Sequence, residues 1–113
     1  MPSVLLRLFT VYGPGQRPDM ATFRLCEAAL GGPPFPLYGD GSYRREFTYV
    51  GDVVRAFQLA ATADLAPAAA LNVAGGSSVS MAELIERVGV AAGSAVPVEA
   101  RDAKPGDVAV TAA

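Results

Sequence analysis

The sequence predicts an α/β fold in which one strand of a larger parallel sheet is joined to a small mixed α/β unit. Residues 4–9 are almost continuously apolar and end at the turn signal Gly13-Pro14-Gly15, as expected of a strand buried on both faces of a parallel sheet. Segments with helical periodicity then alternate with short extended segments. Because such a strand needs neighbours on both sides, we expect part of the sheet to lie outside this chain.

The first predicted helix covers residues 18–30, where apolar residues recur at roughly helical spacing. Asp19 is its expected N-cap, because an aspartate side chain accepts hydrogen bonds from the free amides of the first turn. Gly31-Gly32 and the prolines behind them mark its end. Cys26, within this helix, is expected to be a small buried apolar residue.

Two further helices are predicted downstream. One begins at Asp52, which we interpret as a cap, and continues with apolar residues at helical spacing. The other opens at Ser80, with Glu83 three residues later in the spacing of a capping box. Four apolar side chains of this helix are expected to face inward: Leu84, Ile85, Val88 and Val90.

Extended segments separate these helices. Residues 35–38 lead into the turn signal Gly39-Asp40-Gly41-Ser42, and residues 46–50 are predicted to form a strand beyond it. Residues 71–74 are a further expected strand, and residues 96–99 are the last. This alternation of helix and strand supports the α/β assignment.

Composition limits the chain to one small domain and argues against several kinds of partner. Its 113 residues are 51% hydrophobic, and a net charge of −2 disfavours a nucleic-acid ligand. A single cysteine and the absence of histidine disfavour a metal site. Arg7 interrupts the apolar run near the start, so we expect neither a signal peptide nor a membrane span and place the chain in the cytoplasm.

Five short segments, each a weak signal alone, fall in one order and spacing. They are residues 8–20 (LFTVYGPGQRPDM), 37–41 (LYGDG), 45–54 (REFTYVGDVV), 71–76 (LNVAGG) and 104–108 (KPGDV). Together they closely resemble the second half of NAD-dependent sugar-nucleotide epimerases and dehydratases, which are extended short-chain dehydrogenases/reductases. The resemblance implies a partial Rossmann-like sheet strand plus the small mixed α/β substrate-binding subdomain of that family, with residues 1–113 as the C-terminal substrate-binding portion.

The resemblance also implies what this chain lacks. Full-length members hold NAD in an N-terminal Rossmann domain through a glycine-rich turn, and the tyrosine of a Tyr-x-x-x-Lys pair acts as acid and base. This sequence contains no Gly-x-Gly-x-x-Gly run, and no tyrosine stands four residues before its single lysine, Lys104. We therefore expect the NAD-binding domain to be absent, no catalytic residue to lie in this chain, and NAD not to bind the chain alone.

Two cations are implied contacts of a substrate diphosphate. Arg45 matches the family's Arg-Asp-aromatic arginine, which lies beside the diphosphate, and a guanidinium fork suits phosphate oxygens. Lys104 stands where relatives often carry a second arginine, and a lysine would bind there as a point charge. The alternative for Arg45 is a solvent-exposed arginine at the start of a strand.

Phe9 and Thr10 fall where the family has an aromatic or aliphatic residue followed by asparagine. Phe9 is the implied cofactor contact, near the nicotinamide, whereas judged without the resemblance it is a core residue. Thr10 is the implied substrate contact with the phosphate. Its hydroxyl donates one hydrogen bond but reaches less far than a carboxamide, so this departure from the family pattern weakens the expected contact.

Two further places complete the implied substrate site. Pro36, Leu37 and Tyr38 align with the segment that cups the nucleotide base, the alternative being that Tyr38 covers the edge of the core. Asp19 and Met20 lie at a helix start, where free amides and the helix dipole favour an anion such as a diphosphate. The alternative for Asp19 is an ordinary N-cap.

The sequence thus predicts the substrate-binding fragment of an NAD-dependent nucleotide-sugar epimerase/dehydratase, similar to UDP-glucose 4-epimerases, with a nucleoside-diphosphate sugar as its ligand. The alternative is a non-catalytic nucleotide-sugar-binding module, or a subunit that completes a separately encoded Rossmann chain. Because residues 4–9 would present an unpaired apolar edge, a Rossmann-domain partner or self-association is expected.

Overall fold

The computed structural model describes residues 2–103, 106 and 109–111. Within these ranges strands and helices alternate, which confirms the predicted α/β class, and no helix is long and apolar enough to cross a membrane. The helices are α1 (Ala21–Ala29), α2 (Val50–Thr62) and α3 (Met81–Ala92). The strands are β1 (Val4–Leu8), β2 (Val11–Tyr12), β3 (Phe35–Tyr38), β4 (Arg44–Glu46), β5 (Thr48–Tyr49), β6 (Ala69–Val73), β7 (Ser78–Ser80), β8 (Val98–Arg101) and β9 (Val110–Thr111).

β1 and β6 form a parallel pair, with Val4 opposite Ala69 and Leu8 opposite Val73, and α2 packs against β1. In the part of the chain that the structure describes, β6 is the only strand that pairs with β1. Leu5 is 57% exposed, so the prediction that this strand is buried on both faces is wrong for this chain. The reason is that no second layer of described residues covers the face that carries Leu5.

A second sheet is arranged around β4, which lies between antiparallel β7 and parallel β9. The single strand predicted at residues 46–50 is instead two short strands. β4 ends at Glu46, whereas β5 pairs in parallel with β2 and belongs to another sheet. Phe47 separates the two strands because the chain changes sheets at this point.

The main hydrophobic core lies where α1, α3 and β3 meet. α1 contacts both α3 and β3, and β3 pairs in parallel with β8. Burying a leucine or phenylalanine side chain contributes about 1.5–3 kcal/mol, so this cluster stabilises the part of the chain that carries β3, α1 and α3. Its buried members are Leu25, Ala28, Phe35, Met81 and Val96.

α3 begins as predicted. The Glu83 amide donates to the Ser80 hydroxyl at 3.1 Å, and the Ser80 amide donates to the Glu83 carboxylate at 2.8 Å. These two bonds form a complete capping box, which satisfies amides that have no partner within the helix. Gly93, with a φ of +78°, ends the helix in the left-handed conformation that favours glycine.

Two side chains predicted to be buried are exposed. Val90 is 78% exposed, because it lies away from the face of α3 that packs against the core. Cys26 is exposed on α1, whose inner face is formed by Leu25 and Ala28. Val90 was predicted from the apolar pattern of its helix and Cys26 from residue type, and neither side chain lies on the buried face of its helix.

Element boundaries also differ from the sequence predictions. α2 begins at Val50 with Tyr49 as its N-cap, so Asp52 does not cap it but lies in its first turn, where the helix dipole stabilises a carboxylate. The strand predicted at residues 71–74 is Ala69–Val73, and the one predicted at residues 96–99 is Val98–Arg101. The strand limits are set by the partner strands, which the sequence does not reveal locally.

Candidate functional site

The carboxyl ends of β1 and β6 meet at one edge of their parallel pair. The Phe9 amide donates to the Val73 carbonyl at 3.1 Å, which holds the two strands together just past the end of β1. The Thr48 amide donates to the Thr10 carbonyl at 2.9 Å and joins the start of β5 to the same edge. Ligands of α/β proteins bind outside the carboxyl ends of parallel strands, so this edge is the candidate site.

Phe9 and Thr10 are therefore adjacent at the edge. Their backbone groups bond to Val73 and Thr48, which fixes both residues in place. The Phe9 side chain is half-buried, and the Thr10 side chain is exposed. A half-buried aromatic ring can flank a planar ring of a cofactor, and an exposed hydroxyl can donate to a phosphate oxygen.

Arg45 lies in the middle of β4 and is half-buried. It therefore does not match the alternative interpretation, in which it is a solvent-exposed arginine at the start of a strand. Its Nη1 atom donates to the Arg44 carbonyl at 2.8 Å, and its Cζ atom lies 5.5 Å from the centroid of the Tyr43 ring. These contacts orient the guanidinium group. Arg45 therefore presents an oriented cation in this part of the fold.

Arg44 has a different role from its neighbour. Its Nε and Nη2 atoms donate to the Ser78 hydroxyl at 3.0 Å and to the Ser78 carbonyl at 2.7 Å, and Nη2 lies 3.5 Å from a Glu83 carboxylate oxygen. The hydrogen bond from the Ser80 amide, and secondarily the charges of nearby arginines including Arg44, hold the pKa of Glu83 below its ordinary value. Arg44 thus joins β4 to β7 and α3.

Asp19 is not the N-cap of α1, and that prediction is wrong. The helix begins at Ala21, and its N-cap is Met20, whose side chain makes no capping hydrogen bond. Asp19 stands one position too early for its carboxylate to reach the amides of the first turn, and pairs instead with Arg17 Nε at 3.2 Å on the exposed surface. The start of α1 therefore has amides without a side-chain cap beside Met20.

Met20 borders a cavity of about 300 Å³ under the loop between β2 and α1. Gly13 and Val50 line the same cavity. Gly13 has a φ of +138°, and a Cβ atom there would clash with the Val50 side chain, so only glycine allows the loop to approach α2 this closely. Met20 is thus placed beside the loop that follows Phe9 and Thr10.

β3 carries Pro36, Leu37 and Tyr38. Pro36 is buried, and Leu37 packs against the main core. Tyr38 is half-buried at the carboxyl end of the strand, where the Gly39 amide donates to the Arg101 carbonyl at 2.9 Å. Tyr38 is therefore the member of this segment whose aromatic ring lies at the end of the strand.

A larger cavity, of about 480 Å³, is bordered by Tyr12, Phe47, Gly75 and Arg87 among other residues. The Tyr12 ring packs edge-on against Phe47 at a centroid distance of 6.4 Å, and it packs at a tilt against Tyr49 at 5.6 Å. The volume of the cavity lies in the range of small-molecule pockets.

Across the described ranges, no group of three or more acidic, cysteine or histidine side chains is placed to hold a metal ion.

Lys104, the second predicted cation, lies outside the described residues. Among the other candidates, Phe9 and Thr10 lie together at the carboxyl edge. Arg45 is three residues before Thr48, which bonds to that edge. A joint diphosphate site of Arg45 and Lys104 therefore stays a prediction.

Two buried polar residues near the edge were not predicted as part of a site. Glu46 is 4% exposed and accepts a hydrogen bond from the Gly76 amide at 2.7 Å. Thr48 is 1% exposed, and its hydroxyl has no hydrogen-bond partner among the described residues. The sequence signal for Glu46 is an acidic residue between Arg45 and Phe47 in an otherwise extended segment.

The fold and this edge define a class of protein, the α/β proteins that place ligand-binding residues at the carboxyl ends of short parallel strands. Residues 1–74 match the sequence model of the NAD dependent epimerase/dehydratase family. The chain belongs to this family.

Relatives of known sequence match part or nearly all of the chain. The uncharacterized UDP-glucose epimerase YtcB of Bacillus subtilis is 53% identical over 55 residues, which are 49% of this chain and 17% of YtcB. Protein CapI of Staphylococcus aureus is 32% identical over a 128-residue alignment that covers 98% of this chain and 38% of CapI. The chain therefore spans less than half the length of these relatives.

Solved structures match over almost the whole chain. MoeE5 in complex with UDP-glucuronic acid and NAD has a TM-score of 0.86 and 45% identity, covering 95% of this chain and 36% of MoeE5. The UDP-glucuronic acid 4-epimerase of Bacillus cereus, in complex with UDP-glucuronic acid and NAD, has a TM-score of 0.86 and 34% identity, covering 98% of this chain and 36% of that enzyme. The fold of this chain is therefore that of a part of each of these proteins.

Proposed function

We propose that this chain is the C-terminal, substrate-binding portion of an NAD-dependent enzyme that epimerises or dehydrates a nucleotide sugar, similar to UDP-glucose 4-epimerases. The observation that carries the proposal is the joint at the carboxyl edge, where Thr48 bonds to Thr10 and lies three residues after Arg45. The match to MoeE5, which is bound to UDP-glucuronic acid and NAD, supports the choice of ligand.

In this proposal the diphosphate is held by charge and by donors. Arg45 contributes charge-assisted hydrogen bonds, each worth about 1.5–3 kcal/mol. Thr10 donates one further hydrogen bond, and Lys104 adds a second positive charge. The amides beside Met20 at the start of α1 contribute the helix dipole.

The base of the nucleotide would lie against the end of β3. Tyr38 offers an aromatic ring there, and Pro36 and Leu37 precede it in the strand. Since the Leu37 side chain packs against the core, this wall of the site is held rigidly. Rigid placement lowers the entropy lost when the ligand binds.

NAD, when bound in the complete enzyme, supplies the hydride acceptor for the sugar carbon. Phe9, half-buried at the carboxyl edge, fits a contact with the nicotinamide ring. The sequence has no Gly-x-Gly-x-x-Gly turn and no Tyr-x-x-x-Lys pair, so we propose that another domain holds the cofactor and the catalytic acid/base. This chain then binds and orients the substrate.

Titration calorimetry on the folded chain tests the proposal, with circular dichroism as the check on folding. We expect UDP-glucose and UDP-glucuronic acid to bind with affinities that fall as salt is raised, and NAD alone to bind far more weakly. A folded chain that binds neither UDP-sugar would contradict the proposed ligand. NAD-dependent epimerisation by the chain alone would contradict the proposed division of roles.

One further observation favours the alternative that the chain is a subunit, which docks onto a separate cofactor-binding domain or onto a second copy of itself. Leu5 and Leu71 of the β1–β6 pair and Phe57 of α2 are 57%, 39% and 54% exposed. A cavity of about 440 Å³ opens between β1 and α2. Exposed apolar surface of this kind next to an unpaired strand edge is typical of an interaction site.

Mixing experiments test this docking. We expect the chain to form a complex with the remaining, cofactor-binding part of a relative such as MoeE5, and the mixture to gain UDP-sugar epimerase activity that neither part has. Light scattering of the chain alone reports self-association. A stable monomer that forms no complex with the cofactor-binding part would contradict the docking alternative.

A further inference from the structure

Glu46 is the only charged side chain that is buried among the residues the structure describes, with 4% of its surface exposed. A buried carboxylate is costly unless it accepts hydrogen bonds. Glu46 Oε1 accepts one from the Gly76 amide at 2.7 Å, a distance typical of charge-assisted bonds. This contact joins the last residue of β4 to the loop between β6 and β7.

The β6–β7 loop is fitted closely around this contact. A Cβ atom on Gly75 would overlap the Phe47 carbonyl oxygen, so the loop can lie against β4 only with glycine at this position. Glu46 is also opposite Ser78 in the antiparallel β4–β7 pair. The loop is therefore fixed to the end of β4 by a hydrogen bond, a close backbone approach and strand pairing.

Arg45 immediately precedes two such hydrogen-bonded contacts in the chain. The bond from the Gly76 amide to Glu46 ties the strand of Arg45 to the loop that leaves the carboxyl end of β6, and the bond from the Thr48 amide to the Thr10 carbonyl ties the following strand to the end of β1. Adjacent residues of a strand point to opposite faces, so Arg45 and Glu46 do not share one ligand. Any effect of Glu46 on a ligand of Arg45 is transmitted through the backbone of β4.

We infer that Glu46 is a positioning residue, which holds Arg45 at a set distance from the carboxyl edge and thereby sets the affinity for the diphosphate of a nucleotide sugar. The inference rests on the proposed function, since it takes Arg45 as the diphosphate contact. In this inference Glu46 acts through Arg45 and not by contact with the nucleotide sugar.

A double-mutant cycle on UDP affinity tests this role in the 113-residue chain. Glu46→Gln keeps the length of the side chain and removes its charge. We expect it to weaken UDP binding by about threefold to tenfold when Arg45 is present, and by less than about twofold in the Arg45→Ala background. The control Glu86→Gln, at an exposed position of α3, leaves UDP affinity unchanged.

If Glu46 has a purely structural role, Glu46→Gln weakens UDP binding by the same factor whether residue 45 is arginine or alanine. That result would overturn the inference. If Glu46→Gln does not fold, Glu46→Asp, one methylene shorter, enters the same cycle. An NMR readout needs no variant of Glu46: the Gly76 amide resonance should shift when UDP is added to wild type and stay fixed in Arg45→Ala. An unshifted Gly76 in UDP-bound wild type would also overturn the inference.

The two proposals fail in different ways. If the wild-type chain does not bind UDP, the proposed function is wrong and the role of Glu46 falls with it. If the wild-type chain binds UDP but the double-mutant cycle shows that Glu46 and Arg45 act independently, only the inferred role of Glu46 is wrong.

Discussion

Gly75 lies directly against the Phe47 carbonyl oxygen, so a Cβ atom on residue 75 would overlap that oxygen. The obstacle is backbone at a junction between two sheets, which cannot rotate away as a side chain can. Gly75→Ala should therefore lower the free energy of unfolding by about 3 kcal/mol, the upper end of the cost of overpacking. Urea unfolding followed by circular dichroism measures the loss.

Gly31→Ala is the matched control for Gly75→Ala. Gly31 has a φ of +95° and open space where a Cβ would lie, so its substitution adds only the backbone penalty of about 1–2 kcal/mol. If both variants lose the same free energy, the close approach of Gly75 to Phe47 is not what requires glycine there.

The Thr48 hydroxyl is buried without a hydrogen-bond partner among the described residues. Thr48→Val replaces it with a methyl group of similar shape and removes an unpaired polar group, so the free energy of unfolding should rise by about 1 kcal/mol. Thr22→Val is the contrasting variant, because the buried Thr22 hydroxyl donates to the Gln16 side chain. That variant should lose about 1 kcal/mol. Equal changes in the two variants would contradict the different bonding of the two hydroxyls.

The capping box of α3 should contribute measurably to stability. Ser80→Ala removes the acceptor of the Glu83 amide and should lower the free energy of unfolding by about 1 kcal/mol, or about 4–8 °C in Tm for a domain of this size. Ser94→Ala, an exposed serine beyond the end of the helix, should change the melting temperature little. If the Ser80→Ala variant melts at the same temperature as the wild type, the capping box does not contribute to the stability of α3.

Glu83 should make stability depend on pH. Its pKa is lowered in the folded chain, first by the bond from the Ser80 amide, so the carboxylate stabilises the fold above the ordinary titration range of a glutamate. This stabilisation is lost as the pH falls through the lowered pKa. The melting temperature of Glu83→Gln should therefore be lower than that of the wild type at about pH 7 and equal to it at about pH 2. A melting difference that is the same at both pH values would contradict this.

The sequence predicted those features of the fold that are determined by residues close together in the chain. The Ser80–Glu83 capping box is complete within four residues, and it was predicted and found. Asp19 failed as a cap because the start of α1 is shifted to Ala21, a shift that residue type alone does not indicate. The division of residues 46–50 between two sheets is set by the partners β2, β7 and β9, which no local pattern reveals.

The same limit applies to the candidate site. Phe9, Thr10 and Arg45 were predicted from a family pattern, and the structure adds the bond from Thr48 to Thr10, next to Phe9 and three residues after Arg45 in the chain. Glu46 was missed because its partner, Gly76, is 30 residues away in sequence. A contact of that range becomes visible only when the strands are paired.

The measurement that tests the central claim most directly is the affinity of wild type and Arg45→Ala for UDP-glucose, by calorimetry on folded protein. An oriented guanidinium at a diphosphate predicts a loss of about tenfold or more, or about 1.4 kcal/mol, and a salt dependence that is steeper for wild type than for the variant. Arg55→Ala, an exposed arginine on α2, should bind as wild type does. Equal affinities of wild type and Arg45→Ala would contradict the account and leave Arg45 without a role in nucleotide-sugar binding.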